Sequence, residues 1–177
     1  MQSQRIETSR LVLIAATPQL LEAEIHNREN LSLLLEAQVL ASWPPELYGP
    51  DAMNYSLLKL QQGTEQAGWW AWYFVLAASD NNARTLIGVG GYKGPVDGEG
   101  KVEVGYSVLE EFQNAGYATE ATIGLANWAF THNEVNRVIA ETLPELKQSQ
   151  RVLEKSGFTF IGEGSEEGVI RYELQRR

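Results

Sequence analysis

The chain has 177 residues, the length of about one domain, and is long enough to bury a core without disulfides or a structural metal. It carries 14 Lys plus Arg against 23 Asp plus Glu, a formal net charge of −9, so it lacks the basic face that nucleic acid or an anionic membrane would require. With no cysteine, thiol nucleophiles, disulfides, iron–sulfur clusters and cysteine zinc sites are excluded. The opening residues Met1 to Glu7 have no apolar stretch after their charges, and no run approaches a membrane span. The expectation is one cytoplasmic domain over residues 1–177, with no nucleic-acid or membrane partner.

Leu11 to Ile14 is a short apolar run suited to a strand. Thr17-Pro18 reads as an N-cap followed by proline in the first helical turn. Leu20, Leu21, Ile25, Leu31, Leu34 and Leu35 recur at helical spacing, placing one or two helices over 18–40. Trp43-Pro44-Pro45 breaks the helical pattern, which resumes over 51–62. Residues 70–77 and 85–92, separated by turn residues, predict a hairpin, and the alternation over 102–108 predicts a third antiparallel strand. Ala118, Ala121, Leu125 and Trp128 then follow a helical period. A strand at 137–142, a helix at 149–156 stopped by Gly157, and strands at 158–162 and 169–174 complete the chain. The strand–helix–strand step over 102–142 predicts a parallel pair with a right-handed crossover. The fold class is α+β (mixed α/β): a mixed, mostly antiparallel sheet of about seven strands flanked by helices.

The passage from Val108 into the helix opening near Gly116 carries the chemistry. A helix's first turn has unpaired backbone N–H groups and a partial positive charge, which together form an anion site without basic side chains. Ala115, Gly116 and Ala118 are small enough for a diphosphate to approach the backbone, although small residues there also serve helix–sheet packing.

Gln113-Asn114-Ala115-Gly116-Tyr117-Ala118 fits the acetyl-CoA motif Gln/Arg-x-x-Gly-x-Gly/Ala, and here the chain resembles the GCN5-related N-acetyltransferase (GNAT) superfamily. Thr8 to Leu13 looks like that family's opening strand, and Glu103 to Ser107 like its fourth. Gly116 to Ala121 and Ser149 to Phe158 are similar to the ribosomal-protein N-terminal acetyltransferase (RimJ/RimL-like) branch. The resemblance implies acetyl-CoA as co-substrate, held in a cleft where the fourth and fifth strands splay apart. Backbone groups near Ser107 and Val108 would pair with the pantetheine arm, and the stretch Gln113, Asn114, Ala115, Gly116, Tyr117 and Ala118 would hold the pyrophosphate. Two positions depart from the family: Asn114-Ala115 stands where Gly-Lys or Gly-Arg is common, and Leu146 where the late helix commonly begins with Asn.

The implied reaction is direct attack of a primary amine on the thioester in a ternary complex, with a protein N-terminus or a small molecule as acceptor. Glu103 is the candidate base, or else a carboxylate that is solvated or paired with a neighbouring strand. Ser149 is the candidate hydrogen-bond donor to the departing sulfur, or else a helix N-cap. Trp43, Tyr48 and Trp70 are candidates for the acceptor pocket, or else packing beneath a rigid loop. An alternative is an acyl-CoA-binding module that has lost turnover, and the chain is expected as a monomer or homodimer. Other chemistries find no support. Gly88 to Gly94 fails as a dinucleotide fingerprint because Lys93 takes the third glycine's place and a strand follows. His26 and His132 are too far apart for a two-histidine metal motif, and there is no Gly-x-Ser-x-Gly elbow.

Overall fold

The computed structural model of the chain describes residues 3–177. In chain order its elements are β1 (Arg5–Glu7), β2 (Leu11–Ala15), α1 (Pro18–His26), α2 (Arg28–Leu35), β3 (Gln38–Val39) and α3 (Pro50–Leu60). Then follow β4 (Ala71–Leu76), β5 (Thr85–Tyr92), β6 (Lys101–Val108), α4 (Tyr117–Phe130), β7 (Arg137–Thr142), α5 (Lys147–Lys155), β8 (Thr159–Glu163) and β9 (Ile170–Gln175). The strands form one sheet in the order β1-β2-β4-β5-β6-β7-β9-β8, with β3 beside β5. Among the described residues nine strands stand where the sequence predicts about seven. The two extra, β1 and β3, span three and two residues, too short to display a hydrophobic period.

Local chemistry sets the helix starts. The Thr17 side chain accepts from the Leu20 amide at 3.2 Å, and Pro18 occupies the first turn of α1. Asn27 caps α2 in the same way, accepting from the Asn30 amide at 3.0 Å. At α5 the expectation fails: the helix begins at Lys147 behind Leu146, so Ser149 lies inside the helix rather than at its cap.

Both faces of the sheet are covered. On one face α4 and α5 pack over Trp72, Phe74, Val104 and Val138, and on the other α1, α2 and α3 pack over Ile14, Tyr73, Val75 and Leu86. This is why β4 reads as an unbroken apolar run: its alternate side chains enter two different cores.

The pairing of β6 with β7 positions the functional cleft. It is parallel and joins only Lys101 to Arg137, Val102 to Val138 and Glu103 to Ile139. β6 continues to Val108 along β5, and β7 continues to Thr142 along β9, so the two strands part after Glu103.

A polar knot lies in the second core. The Glu24 carboxylate on α1 accepts hydrogen bonds from Trp43 Nε1 at 2.9 Å, the Tyr48 hydroxyl at 2.9 Å and the Tyr73 hydroxyl at 2.6 Å. Burial pushes its pKa up, against the three hydrogen bonds that lower it. The knot fastens both ends of the loop over 43–48 to the sheet. Glu24→Ala leaves three donors without their acceptor, and the expected loss is about 3 kcal/mol or more in urea unfolding; a change under about 1 kcal/mol would contradict this account.

Candidate active site

Where β6 and β7 part, a cleft of about 890 Å³ opens. It is walled by β6 from Val104 onward, the end of β7, the first turn of α4, α5 and the loop at Glu46–Leu47. Of the sequence-predicted residues, Ser107, Val108, Gln113, Asn114, Gly116, Tyr117, Ala118 and Ser149 all line it.

At one end lies the start of α4. Gly116 is its N-cap, in the left-handed conformation at φ 82°, with no side chain capping the helix. Asn114 is also left-handed at φ 61°, a region that Asn tolerates better than most residues. The first-turn amides are therefore left without a side-chain partner. A brace absent from the sequence reading holds this turn. The Arg10 guanidinium donates to the Ala115 carbonyl at 2.8 Å and lies 4.4 Å from the centre of the Tyr117 ring. Glu120 in turn accepts from Thr8 Oγ1 at 2.6 Å, from the Arg10 amide at 2.6 Å and from Arg10 Nε at 2.7 Å. Partial burial raises the Glu120 pKa, but these bonds and the Arg10 charge outweigh it and hold the carboxyl below its usual value. Gln113 folds back to donate from Nε2 to the Val108 carbonyl at 3.0 Å, tying the loop to the strand end. Ala115 belongs to this brace and is not among the lining residues.

Along one wall runs α5. Lys147, Arg151 and Lys155 line the cleft at i, i+4 and i+8, and none of the three makes an ion pair among the described residues. The far end of this helix meets the start of α4, where Ser156 Oγ stands 3.5 Å from the Thr119 carbonyl. Together with Lys93 these three side chains make four cations on the lining of a cavity that also carries Glu46, Glu141, Glu145 and Glu166.

Toward the other end, Tyr106 reaches from β6 to α5. Its hydroxyl donates to the Ser149 carbonyl at 3.1 Å and lies 3.2 Å from Ser149 Oγ. Burial pushes the Tyr106 phenol up to about 12, with the Ser149 hydrogen bond acting in the opposite direction. These two contacts suit Tyr106 to holding Ser149 in place.

The other face of β6 carries Glu103, Gly105 and Ser107. Glu103 forms an ion pair with Lys93, which lines the cleft, and its carbonyl accepts from the Lys93 amide at 3.0 Å. Gly105 has nothing within 4 Å of where a Cβ would stand, so this face has an open floor. Ser107 Oγ donates to the Glu46 carbonyl at 2.5 Å, pinning the neighbouring loop to the strand.

Trp43, Tyr48 and Trp70 do not line the cleft. Trp43 and Tyr48 are held by Glu24 and flank Glu46 and Leu47, the two loop residues that do. Trp70 packs against Tyr55, with ring centres 5.6 Å apart, and bonds to Gln66 through Nε1. No cluster of three or more His, Cys, Asp or Glu side chains suited to a metal occurs among the described residues.

Comparison with known proteins agrees with this architecture. Residues 10–159 match the family model described as an acetyltransferase (GNAT) domain. The chain is 28% identical over 153 residues to the uncharacterized N-acetyltransferase YjdG of Bacillus subtilis (strain 168), covering 86% of this chain and 88% of that protein. The ribosomal-protein-S5-alanine acetyltransferase of Vibrio fischeri superposes with a TM-score of 0.63 at 21% identity, covering 97% of this chain and 96% of that one. The microcin C7 self-immunity acetyltransferase MccE, solved with acetyl-CoA and AMP, superposes with a TM-score of 0.63 at 16% identity, covering 95% and 93%. With the splayed strands, the bare helix start and a family match over most of its length, the chain belongs to the GNAT acetyltransferases.

Proposed function

We propose that this acetyltransferase takes its acetyl group from acetyl-CoA and passes it to a primary amine that attacks the thioester directly. The observation that carries the reading is one cleft with two chemically distinct ends. Bare amides lie at one end, where the last turn of α5 brings Lys155, and the Tyr106–Ser149 pair lies at the other, beside Lys147. The amides of residues 114–118, with Arg151 and Lys155 beside them, suit a diphosphate. The backbone of Ser107 and Val108 lies on the stretch of β6 that β7 leaves unpaired, and suits an extended polar arm added like a strand.

On the acceptor face, Glu103 receives the proton of the attacking amine, directly or through one water. Ser149 Oγ donates to the departing sulfur, and Tyr106 is a positioning residue that holds it. The acceptor enters over Gly105, past Glu46 and Leu47, with Trp43 and Tyr48 shaping that loop from behind. An α-amine is favoured as acceptor. Its pKa of about 7.7–8.0 leaves roughly a tenth neutral at pH 7, whereas a Lys amine near 10.4 is neutral in only about one molecule in 10³.

The test is release of CoA thiol from acetyl-CoA with a panel of amines. Peptides with a free α-amine accelerate it, and a panel in which no amine does so contradicts the reading. Two variants separate binding from turnover. Gly116→Asp abolishes acetyl-CoA binding by bulk and charge; retained affinity in calorimetry would overturn the diphosphate assignment. Ser149→Ala leaves acetyl-CoA affinity within about twofold and lowers kcat by about 100-fold; an unchanged kcat removes Ser149 from the mechanism. Arg151→Ala weakens CoA about fivefold at low salt, the loss expected of one exposed ion pair worth about 1 kcal/mol. That difference shrinks as salt is added.

A further inference from the structure

Lys93 occupies an unusual place. It follows the last residue of β5, directly across from Glu103, and its ammonium is paired with the carboxylate that the proposed reaction uses as base. Lys93 and Glu103 lie one residue before the point where β6 and β7 separate, on the face with the open floor at Gly105. Its side chain is 66% exposed and lines the cleft, so nothing packs its stem into one position. An amine, a carboxylate beside it and an open path over a glycine are the elements an acceptor would bring to this face, and here the chain itself supplies the amine.

We propose that Lys93 is an internal acetyl acceptor, a self-acetylation site fed by acetyl-CoA bound in the same cleft. The inference rests on the acetyl-CoA reading above. In the step, a bond forms between Nζ and the acetyl carbon, and the bond from that carbon to the CoA sulfur breaks. Two protons leave the nitrogen by way of the Glu103 carboxylate. One ends on the sulfur, giving the free thiol, and one goes to solvent. The product is a neutral amide at Lys93, which no longer pairs with Glu103.

Two magnitudes decide whether this occurs. A Lys amine in water is neutral in only about one molecule in 10³ at pH 7. Against that, an amine tethered to the chain that binds the thioester needs no separate encounter, and its effective concentration exceeds that of a free amine, rising toward about 10⁵ M only in aligned conformers. The reaction runs once per chain rather than turning over, so a slow step suffices. Its consequence is a change at the base: acetylation frees Glu103 from its cation and clears the acceptor face of a competing amine.

The experiment incubates the full chain with isotopically labelled acetyl-CoA and reads the sites of acetylation by peptide mass spectrometry. One acetyl group is expected, on Lys93. Lys93→Arg removes it, Glu103→Gln slows it by about 100-fold, and unlabelled CoA in excess blocks it by competing for the cleft. Label spread over Lys59, Lys101, Lys147 and Lys155 as heavily as Lys93 is solution chemistry and overturns the proposal. So does a chain that binds acetyl-CoA and acetylates external amines while Lys93 stays unlabelled, a result that leaves the proposed function standing. Failure to bind acetyl-CoA at all, measured by calorimetry on the same sample, overturns both.

Discussion

The parting of β6 from β7 is the constraint on which the rest of the molecule depends. Three residue pairs hold these strands together, and beyond Glu103 each follows its other neighbour. A parallel pair needs a long crossover, and that crossover is α4, whose first turn consequently lands at the mouth of the gap. The same geometry sets α5 along the opposite wall, since it follows β7 immediately. One topological step therefore produces a slot lined by unpaired strand edge, a helix start aimed at it and a cationic helix beside it. A backbone edge that lacks a strand partner must find its hydrogen bonds elsewhere, and an extended polar ligand meets that demand.

Precision in the slot comes from polar groups outside the chemistry. Arg10 and Glu120 lock the turn before α4 to the start of β2, so the left-handed residues Asn114 and Gly116 are held in place from behind. Glu24 does the equivalent for the loop over 43–48, and Tyr106 for Ser149. Each brace joins elements distant in sequence: Arg10 and Glu120 are separated by 110 positions, Glu24 and Tyr73 by 49. Hydrogen bonds to a charged group contribute about 1.5–3 kcal/mol each, so these few contacts are a large share of a domain's net stability.

This separation also explains what could be read from the residues alone. Hydrophobic period and turn chemistry are local, so the order of strands and helices was legible, as were the Thr17 cap and the glycine that opens α4. The Gln113 to Ala118 hexapeptide pointed to the same turn that the structure places at the cleft. The braces were not legible, because nothing around Glu24 in α1 marks it as buried or names its partners. The spacing of Lys147, Arg151 and Lys155 is visible in the sequence, but a charged stripe faces solvent by default, and only the packing of α5 on β7 and α4 sets these exposed side chains along the cleft. Trp43 and Tyr48 illustrate the converse. Their aromatic character suggested direct contact with an acceptor, whereas their polar atoms are engaged by Glu24 beneath the loop.

The account is tested most directly by a crystal structure of the chain with CoA bound. It predicts the diphosphate within hydrogen-bond distance of the amides of residues 114–118, the pantetheine arm between β6 and β7, and the sulfur near Ser149 Oγ. A diphosphate seated elsewhere, with the start of α4 facing only solvent, would contradict it.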